Sequence, residues 1–352
     1  MKVVYFEDNE LIWKETFQLE KKISPFYSPI WIDYMKEYVF TCLDKNLSFV
    51  IVHDGKPACL CPLFLESHGE IKSFSYSGSF LKRPHILNEL SLKSKKIVEK
   101  FTFDFIDQLA KENDVKVYYV EGDPLSEDFL KYNFNDFIKF GFLGFNAYTN
   151  VIDLENDSLS LWREVRKGHK HQIKRAEKIL NIKIWDFTNA ERHIHDIYKD
   201  MHVRLSGNRN TNTYEFQYTQ LINDQAIIVE CLHNGVTVSC VYFMHSTTKV
   251  LYASVADILD DYDCPVSCGH FILWEAIKYY KKRKFTTFET GQQYYFDQFF
   301  NCSDDKNRNI SLFKRGFGGR MCSVHRGVKF YDKEIMNQVL LEQTKKMLDS
   351  YF

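Results

Sequence analysis

A lysine followed by closely spaced glycines is the pattern in this chain with the clearest chemical potential. Residues 313–319 read Phe-Lys-Arg-Gly-Phe-Gly-Gly, which places Lys314 just before Gly316 and Gly318. Glycines let a ligand approach the backbone closely, so both are candidate cofactor contacts. An ammonium group beside them can stabilise the oxyanion that forms when a carbonyl is attacked. The residues alone favour a lysine at a helix end, where it would offset the helix dipole before a glycine stop.

Two carboxylates are candidate general bases. Asp257 follows a predicted strand near Val250–Ala253, and Glu289 ends another predicted strand near Phe285–Glu289. Ligands of open α/β sheets bind beyond the carboxyl ends of strands, so either acid could take a proton from an attacking amine. Solvated acids at strand ends are the alternative interpretation. Tyr252, in the strand that precedes Asp257, is a candidate substrate contact.

A strongly basic segment precedes the second half of the chain. Residues 161–180 are predicted to form one helix, because apolar residues recur along it with helical spacing. Arg166, Lys170 and Lys174 fall at i, i+4 and i+8, and Arg175 lies beside them. Such a face can bind the phosphates of a substrate, with arginine able to do so through two hydrogen bonds. A solvated charged face is the alternative.

Two further polar segments are candidate parts of the site. Gly269 and His270 lie at the predicted start of a helix, where backbone N–H groups can bind an anion and the imidazole can line the site. Arg209 lies in the polar loop 206–213 between two predicted helices, which is either a plain surface loop or one that contacts substrate.

Neither the histidines nor the cysteines have the spacing of a metal site, and we expect no metal ion. The pairs His169/His171 and His193/His195 are separated by two positions, which on a helix point in nearly opposite directions. The nine cysteines lack disulfide or zinc spacing and are predicted to be mostly buried, reduced thiols. Reactive thiol chemistry at Cys268, near a predicted helix start, is the alternative.

These candidates belong to what we interpret as the second of two copies of one α/β unit. Residues 138–144 repeat the pattern around Lys314 with Lys139 in its place, an offset of 314 − 139 = 175 positions. Asp54-Gly55 and Asn234-Gly235 each separate two β-type runs, which is the strongest short hairpin signal. In both halves a further strand, a helix (Lys93–Asn113 or Ser267–Lys282), a strand ending in an acid and a glycine-rich stop follow in the same order. The predicted domains are residues 1–155 and 156–352, with a cleft between them.

Size and charge are ordinary for a globular protein of two domains. The chain has 352 residues, of which 45% are apolar and 26% charged, and a formal net charge of −1. No global field therefore attracts nucleic acid. No apolar run is long enough for a transmembrane helix, and the start of the chain does not read as a signal peptide, so a cytoplasmic location is expected.

The chain resembles the FemAB-type peptidyltransferases and the related CelD/BioF2-like acyltransferases, which carry tandem GNAT-like domains. Three features carry the resemblance: Trp162 and Arg166 with 173–176 in the basic segment, the run from Val238 to Gly291, and the segment 313–319. In these enzymes the Phe-Lys pair of the last segment lies at the acyl-transfer centre, a role that the resemblance assigns to Phe313 and Lys314. The sequence lacks the glycine-rich pyrophosphate loop of single GNAT domains and the long coiled-coil insert of some FemAB proteins.

The resemblance implies a bacterial N-acyltransferase of cell-envelope biogenesis. The expected donor is an acyl-CoA such as acetyl-CoA, and the expected acceptor is an amine on an amino sugar, nucleotide-linked sugar or envelope glycan precursor. The amine would attack the carbonyl directly, since no Ser/His or Cys/His nucleophile is evident. Two alternatives remain: a FemX-like ligase that takes its donor from aminoacyl-tRNA, and a non-catalytic protein that binds a glycan precursor or a partner. The oligomeric state is not predicted.

Overall fold

The computed structural model describes residues 1–20, 22–126, 134–207, 211–257, 264–295, 299–300 and 303–351. Arg209 lies outside these ranges. None of the helices within them combines the length and the apolar character that crossing a lipid bilayer requires.

The chain forms two compact units, and each is assembled from separate stretches of sequence. The first comprises Met1–Tyr148, Tyr294–Asp304 and Ser323–Phe352, and the second comprises Thr149–Gln293 and Asp305–Cys322. The predicted division was continuous, at residue 155. The difference arises because the last strand returns to the first unit, where Arg326–Phe330 pairs antiparallel with residues 117–121.

The first unit contains two sheets of strands with helices around them. Its helices are α1 (Glu10–Leu19), α2 (Pro29–Tyr38), α3 (Leu92–Glu112) and α10 (Lys333–Tyr351). Its strands are β1 (Lys2–Tyr5), β2 (Leu43–Asn46), β3 (Phe49–His53), β4 (Lys56–Cys61), β5 (Phe64–His68), β6 (Ile71–Phe74), β7 (Leu81–Lys82), β8 (His85–Ile86), β9 (Val117–Glu121) and the first part of β10 (Leu143–Asp153). One sheet has the order β1-β3-β4-β8, and the other contains β9-β6-β5-β2.

The second unit has a mixed sheet in the order β11-β12-β13-β14-β15, followed by the end of β10. Its strands are β11 (Leu180–Trp185), β12 (Ala226–His233), β13 (Val236–His245), β14 (Lys249–Asp257), β15 (Thr287–Gln293) and the first part of β16 (Arg320–Phe330). Its helices are α4 (Ser158–Glu164), α5 (Lys167–Ala176), α6 (Arg192–Ser206), α7 (Thr211–Ile222), α8 (Cys268–Lys282) and α9 (Asp305–Arg315). Helix α8 buries an apolar face that includes Phe271, Ile272 and Ile277 against the unit's core.

The predicted order of elements is found in both units. Each has an antiparallel hairpin whose turn residues have positive φ, at Asp54-Gly55 (51° and 76°) and Asn234-Gly235 (51° and 80°). In each, a strand that precedes a long helix pairs in parallel with the strand that follows it, β6 with β9 and β14 with β15. The units differ in the partner of the second hairpin strand. In the second unit β13 pairs with β14, whereas in the first unit β4 pairs with the short β8 in a separate sheet.

The predicted single helix over residues 161–180 is wrong. The chain becomes extended at Val165 (ψ 128°) and Arg166 (ψ 142°), which separates α4 from α5. The N–H of Arg166 donates to the carbonyl oxygen of Gly316 at 2.8 Å, a bond that a continuous helix would not allow. The second helix ends at Ala176, and Leu180 begins β11, which pairs with β12.

Candidate active site

The end of helix α9 places Lys314 in the second unit. The helix ends at Arg315, the N–H of Gly316 donates to the carbonyl oxygen of Phe313 at 3.0 Å, and Gly318 and Gly319 have φ of 86° and 87°. These last two positions strongly favour glycine because an L side chain rarely adopts such φ values. Lys314 therefore lies in the last turn of a helix, the position that its spacing before the glycines favours.

The ammonium group of Lys314 lies within the unit rather than in open solvent. Its nitrogen is 5.3 Å from the centroid of the Tyr252 ring and 2.8 Å from the point at which a β-carbon on Gly291 would stand. Among the residues that the structure describes, none is an ion-pair or hydrogen-bond partner of this nitrogen. Burial lowers the pKa of Lys314, and the negative charge of Glu289 opposes that effect. A partly buried cation beside an aromatic face and within electrostatic reach of a carboxylate is a typical feature of functional sites.

Glu289 supplies the carboxylate near Lys314. It lies on β15, is 5% exposed, and accepts a hydrogen bond from Thr149 Oγ1 at its Oε1 atom over 2.6 Å. Its charge also acts on the thiol of Cys322, whose pKa is raised mainly by burial. The carboxylate is thus held in a fixed orientation in a low-dielectric environment.

Asp257 ends strand β14 and is the second predicted base. Its Oδ1 accepts a hydrogen bond from Ser239 Oγ on the neighbouring strand. Burial raises the pKa of Asp257, while the Ser239 bond lowers it. Burial and then the charge of Asp257 raise the pKa of Tyr252, so that these two side chains act on each other electrostatically. A carboxyl group with a raised pKa is better suited to accept a proton near neutral pH.

His169 lies at the centre of a group of aromatic side chains from three helices. Its ring centroid is 4.4 Å from that of His270, 5.6 Å from that of Phe313 and 4.9 Å from that of Phe317. Its Nε2 lies 2.8 Å from the carbonyl oxygen of Phe313, so Nε2 carries the proton and Nδ1 is free to accept from Arg166 Nη2 at 3.3 Å. His169 thereby connects the start of α5 with the end of α9 and the start of α8.

Both histidines of this group are held in the neutral form. Burial lowers the pKa of His169, opposed by its bond to the Phe313 carbonyl. Burial is the main cause that lowers the pKa of His270 to about 4, and the positive charge of Arg166 acts in the same direction. The Nδ1 atom of His270 lies 2.7 Å from Ser267 Oγ, which orients its ring. Arg166 is the charged side chain that contacts the neutral His169 ring.

The three predicted cofactor glycines pack closely against side chains. A β-carbon on Gly316 would stand 2.0 Å from His169 Nε2, and one on Gly318 would stand 2.6 Å from the Glu164 β-carbon. A β-carbon on Gly269 would stand 3.5 Å from the Phe313 ring. Internal packing explains why Gly316 and Gly318 lack side chains, and their role as cofactor contacts stays a prediction.

The basic residues of the first part of the unit have different environments. Arg166, Lys174 and Arg175 are exposed, and Lys170 is partly buried. Lys170 Nζ donates to the carbonyl oxygen of Arg163 at 3.0 Å, and Arg175 donates to that of Pro265 at 3.4 Å. Only Arg166 contacts the histidine group directly, so it is the cation of this segment closest to the candidate site.

The structure therefore brings most predicted site residues into two adjoining groups. Lys314, Glu289 and Tyr252 form the first, and Arg166, Gly269, His270, Phe313 and Gly316 surround His169 in the second. Sequence reasoning treated His169 only as half of a histidine pair. The signal in the sequence is that His169 lies four residues from both Val165 and Ile173, at the helical spacing of the buried apolar residues. Gly291 had no sequence signal beyond following the Glu289 strand.

The similarity of this chain to known proteins is one of fold and not of sequence. No family model matches the chain, and no curated protein matches its sequence. The crystal structure of FemX matches 97% of this chain and 100% of its own, with 11% identity and a TM-score of 0.68. L-PGS from Bacillus licheniformis matches 93% and 97%, with 11% identity and a TM-score of 0.55. The C-terminal domain of a putative lysylphosphatidylglycerol synthetase from Agrobacterium fabrum matches 89% and 95%, with 10% identity and a TM-score of 0.54.

These matches define the class of fold. The chain has a FemAB-like α/β fold of tandem GNAT-like units, as the resemblance implied. At 10–11% identity the likeness concerns architecture and not activity. The predicted cleft between the domains stays a prediction.

Proposed function

We propose that this protein is an N-acyltransferase whose second unit transfers an acyl group to an amine. The observation that carries the proposal is the environment of Lys314: a partly buried ammonium group, 5.3 Å from the centroid of the Tyr252 ring and within electrostatic reach of Glu289. A cation in such a place can stabilise negative charge that develops on a carbonyl oxygen, and it needs little reorganisation to do so. The FemX-like fold over nearly the whole chain supports this reaction class.

The reaction follows from the charges of the site. The amine nitrogen attacks the acyl carbonyl carbon, and the oxygen gains negative charge beside the ammonium of Lys314. Glu289 or Asp257 takes the proton that the attacking amine loses. The tetrahedral intermediate then expels the thiolate or alkoxide of the donor, which takes up the proton that the carboxylate accepted, directly or through solvent. Phe313 and His270 line the site, and Arg166 with Lys170, Lys174 and Arg175 binds phosphate of the acceptor.

Among the described residues of the first unit, the counterparts of Glu289 and Lys314 have different environments, which supports the choice of the second unit. Its strand-end acid, Glu121, is neutralised by Lys82 at 2.6 Å and by Arg326 at 2.9 Å. Lys139, the counterpart of Lys314, is exposed, with its nitrogen 5.6 Å from the Phe134 ring centroid. A carboxylate already paired with two cations is a poor proton acceptor.

The donor separates two versions of the proposal. We favour acyl-CoA, with its pyrophosphate on the backbone N–H groups at the start of α8, where Ser267 makes no capping hydrogen bond through its side chain. Two observations support the alternative, a FemX-like reaction with aminoacyl-tRNA: the match extends over the whole FemX chain, and the sequence has no glycine-rich pyrophosphate loop. In either version the acceptor is an amino sugar, nucleotide-linked sugar or cell-envelope glycan precursor, and the reaction takes place in the cytoplasm.

The test is a transfer assay with both donors. The purified protein is incubated with acetyl-CoA or with charged tRNA, in each case with a panel of nucleotide-linked amino sugars. The masses of the acceptors are then measured by mass spectrometry. We expect an acceptor that gains one acyl group, with release of one CoA thiol for each product. A product that forms only with charged tRNA and is abolished by ribonuclease would establish the tRNA version. Acceptor binding without transfer from either donor would contradict the enzymatic proposal and leave a non-catalytic binding protein.

A further inference from the structure

The first unit contains a group of three potential metal ligands that is remote in sequence from the candidate active site. The Cys42 sulfur, a carboxylate oxygen of Glu66 and a ring nitrogen of His68 all lie within 4.8 Å of one another. Glu66 and His68 are alternate residues of β5, and so project from the same face of the strand. Cys42 immediately precedes β2, which pairs with β5, and its carbonyl oxygen accepts from the N–H of Ser67 at 2.8 Å.

The carboxylate of this group is fixed by surrounding donors. The Glu66 side chain is fully buried, and its oxygens accept from the N–H of Ser77 at 2.7 Å, from the N–H of Gly78 at 3.0 Å and from the hydroxyl of Ser75. These donors leave Glu66 positioned toward His68, whose Nε2 lies 3.1 Å from Glu66 Oε2. Hydrogen bonds that orient a ligating carboxylate in this way are characteristic of metal sites in proteins.

The spacing and access of the group suit a small divalent cation. Two ligands of a tetrahedral zinc ion, bound at roughly 2.0–2.3 Å, lie about 3.2–3.8 Å apart, close to the separation of Glu66 and His68. The His68 side chain is 43% exposed, and Cys42 is partly exposed, so that an ion can enter from solvent.

We propose that Cys42, Glu66 and His68 bind one Zn²⁺ ion, with a water molecule as its fourth ligand. A thiolate, an imidazole and a carboxylate are the ligand types that zinc accepts, whereas the sulfur disfavours magnesium and calcium. Binding replaces the thiol proton of Cys42, which now points to the carbonyl oxygen of Val39 at 3.3 Å, and releases it to solvent. The ion would hold the start of β2 against β5 and the 75–78 turn. The site has no recognisable sequence motif, because Cys42 and Glu66 are 66 − 42 = 24 positions apart.

The test uses Co²⁺ as a spectroscopic substitute for zinc. The full chain is freed of metal with a chelator and titrated anaerobically with Co²⁺. We expect one equivalent to bind with a thiolate-to-cobalt charge-transfer band in the near ultraviolet, and Zn²⁺ to remove the band because it binds more tightly. The Cys42→Ser variant should lose the band. The His68→Ala variant should bind Co²⁺ at least about tenfold more weakly.

The matched control is His53→Ala. Like His68, His53 lies in a strand of the first unit beside a carboxylate, with its Nε2 3.5 Å from an oxygen of Asp54. Unlike His68, it is not one of the three potential metal ligands. It should keep the wild-type affinity and band. A wild-type protein without a thiolate band at saturating Co²⁺, a Cys42→Ser protein that retains the band, or a band that Zn²⁺ does not displace would overturn the proposal. The side chain of His68 is exposed, so the His68→Ala variant should fold even if Cys42→Ser does not. Its affinity for Co²⁺ then still tests the proposal, and an unchanged affinity would contradict it.

Discussion

The ammonium nitrogen of Lys314 lies 2.8 Å from the point at which a β-carbon on Gly291 would stand. Real β-carbons essentially never approach another heavy atom this closely, so any side chain at position 291 would displace the ammonium group. Gly291 follows Glu289 by two residues on β15, and its φ is 96°. The same strand therefore supplies the carboxylate and leaves the space that brings the lysine close to it.

The Gly291→Ala variant should lower the rate of acyl transfer by at least about tenfold, because a shift of about 1 Å in a positioned catalytic group can have effects of this size. It should also destabilise the protein by about 1–2 kcal/mol through its positive φ. Rates are measured per folded molecule after urea denaturation has established the stability of each variant.

The control for Gly291→Ala is Gly235→Ala. Gly235 has a φ of 80° in the same unit, with no atom within 4 Å of its added β-carbon. This change introduces similar backbone strain without moving Lys314, and should leave the transfer rate unchanged. Equal rates in the two variants would show that the contact between Gly291 and Lys314 is not functional.

Local sequence patterns were sufficient to predict much of the fold. Asp54-Gly55 and Asn234-Gly235 need positive φ, and both form the predicted turns because turn chemistry depends on adjacent residues only. The break between α4 and α5 could not be predicted, since it depends on the bond from Arg166 to Gly316, 150 positions away. Lys314 was selected through the resemblance of residues 313–319, because the residues alone favour a plain lysine at a helix end. The space at Gly291 depends on the packing of β15 against α9 and required the folded chain.

A second prediction concerns Gly316. A β-carbon there would stand 2.0 Å from Nε2 of His169, which is itself only 2% exposed and cannot move into open space. The Gly316→Ala variant should therefore lose about 1–3 kcal/mol of unfolding free energy or more, as measured by urea denaturation.

Gly168→Ala is the comparison for Gly316→Ala. Gly168 lies in α5 beside His169, and an added β-carbon there would meet no atom within 4 Å. This change should be neutral or stabilise the helix by up to about 1 kcal/mol. Equal unfolding free energies for the two variants would contradict the close packing of Gly316 against His169.

A third prediction concerns the pH dependence of stability. His195 is completely buried, and burial, followed by the charge of Arg192, lowers its pKa from 6.5 to about 4. Between pH 6.5 and about 4, His195 is therefore protonated in the unfolded chain and neutral in the folded chain. The stabilisation is complete above pH 6.5 and is lost progressively as the pH falls toward 4, by about 3 kcal/mol in total.

The measurement is the free energy of unfolding as a function of pH for His195→Phe and for wild type. The substitution keeps an aromatic ring against Tyr198 and Tyr218 and removes the titrating group. Its stability should fall less steeply between pH 6.5 and 4. The control, His193→Phe, changes an exposed histidine of the same helix and should retain the wild-type slope. Identical slopes in all three proteins would exclude His195 as the source of the acid sensitivity.

The most direct test of the central claim is the single-turnover rate of acyl transfer in Lys314→Met, compared with Lys139→Met. Methionine keeps much of the length of lysine and removes the charge, so the comparison isolates the ammonium group. With saturating donor and acceptor, we predict that Lys314→Met is at least about tenfold slower than wild type, while Lys139→Met, which changes the exposed counterpart in the first unit, is unaffected. A folded Lys314→Met protein that transfers acyl groups at the wild-type rate would contradict the assignment of Lys314 to the reaction.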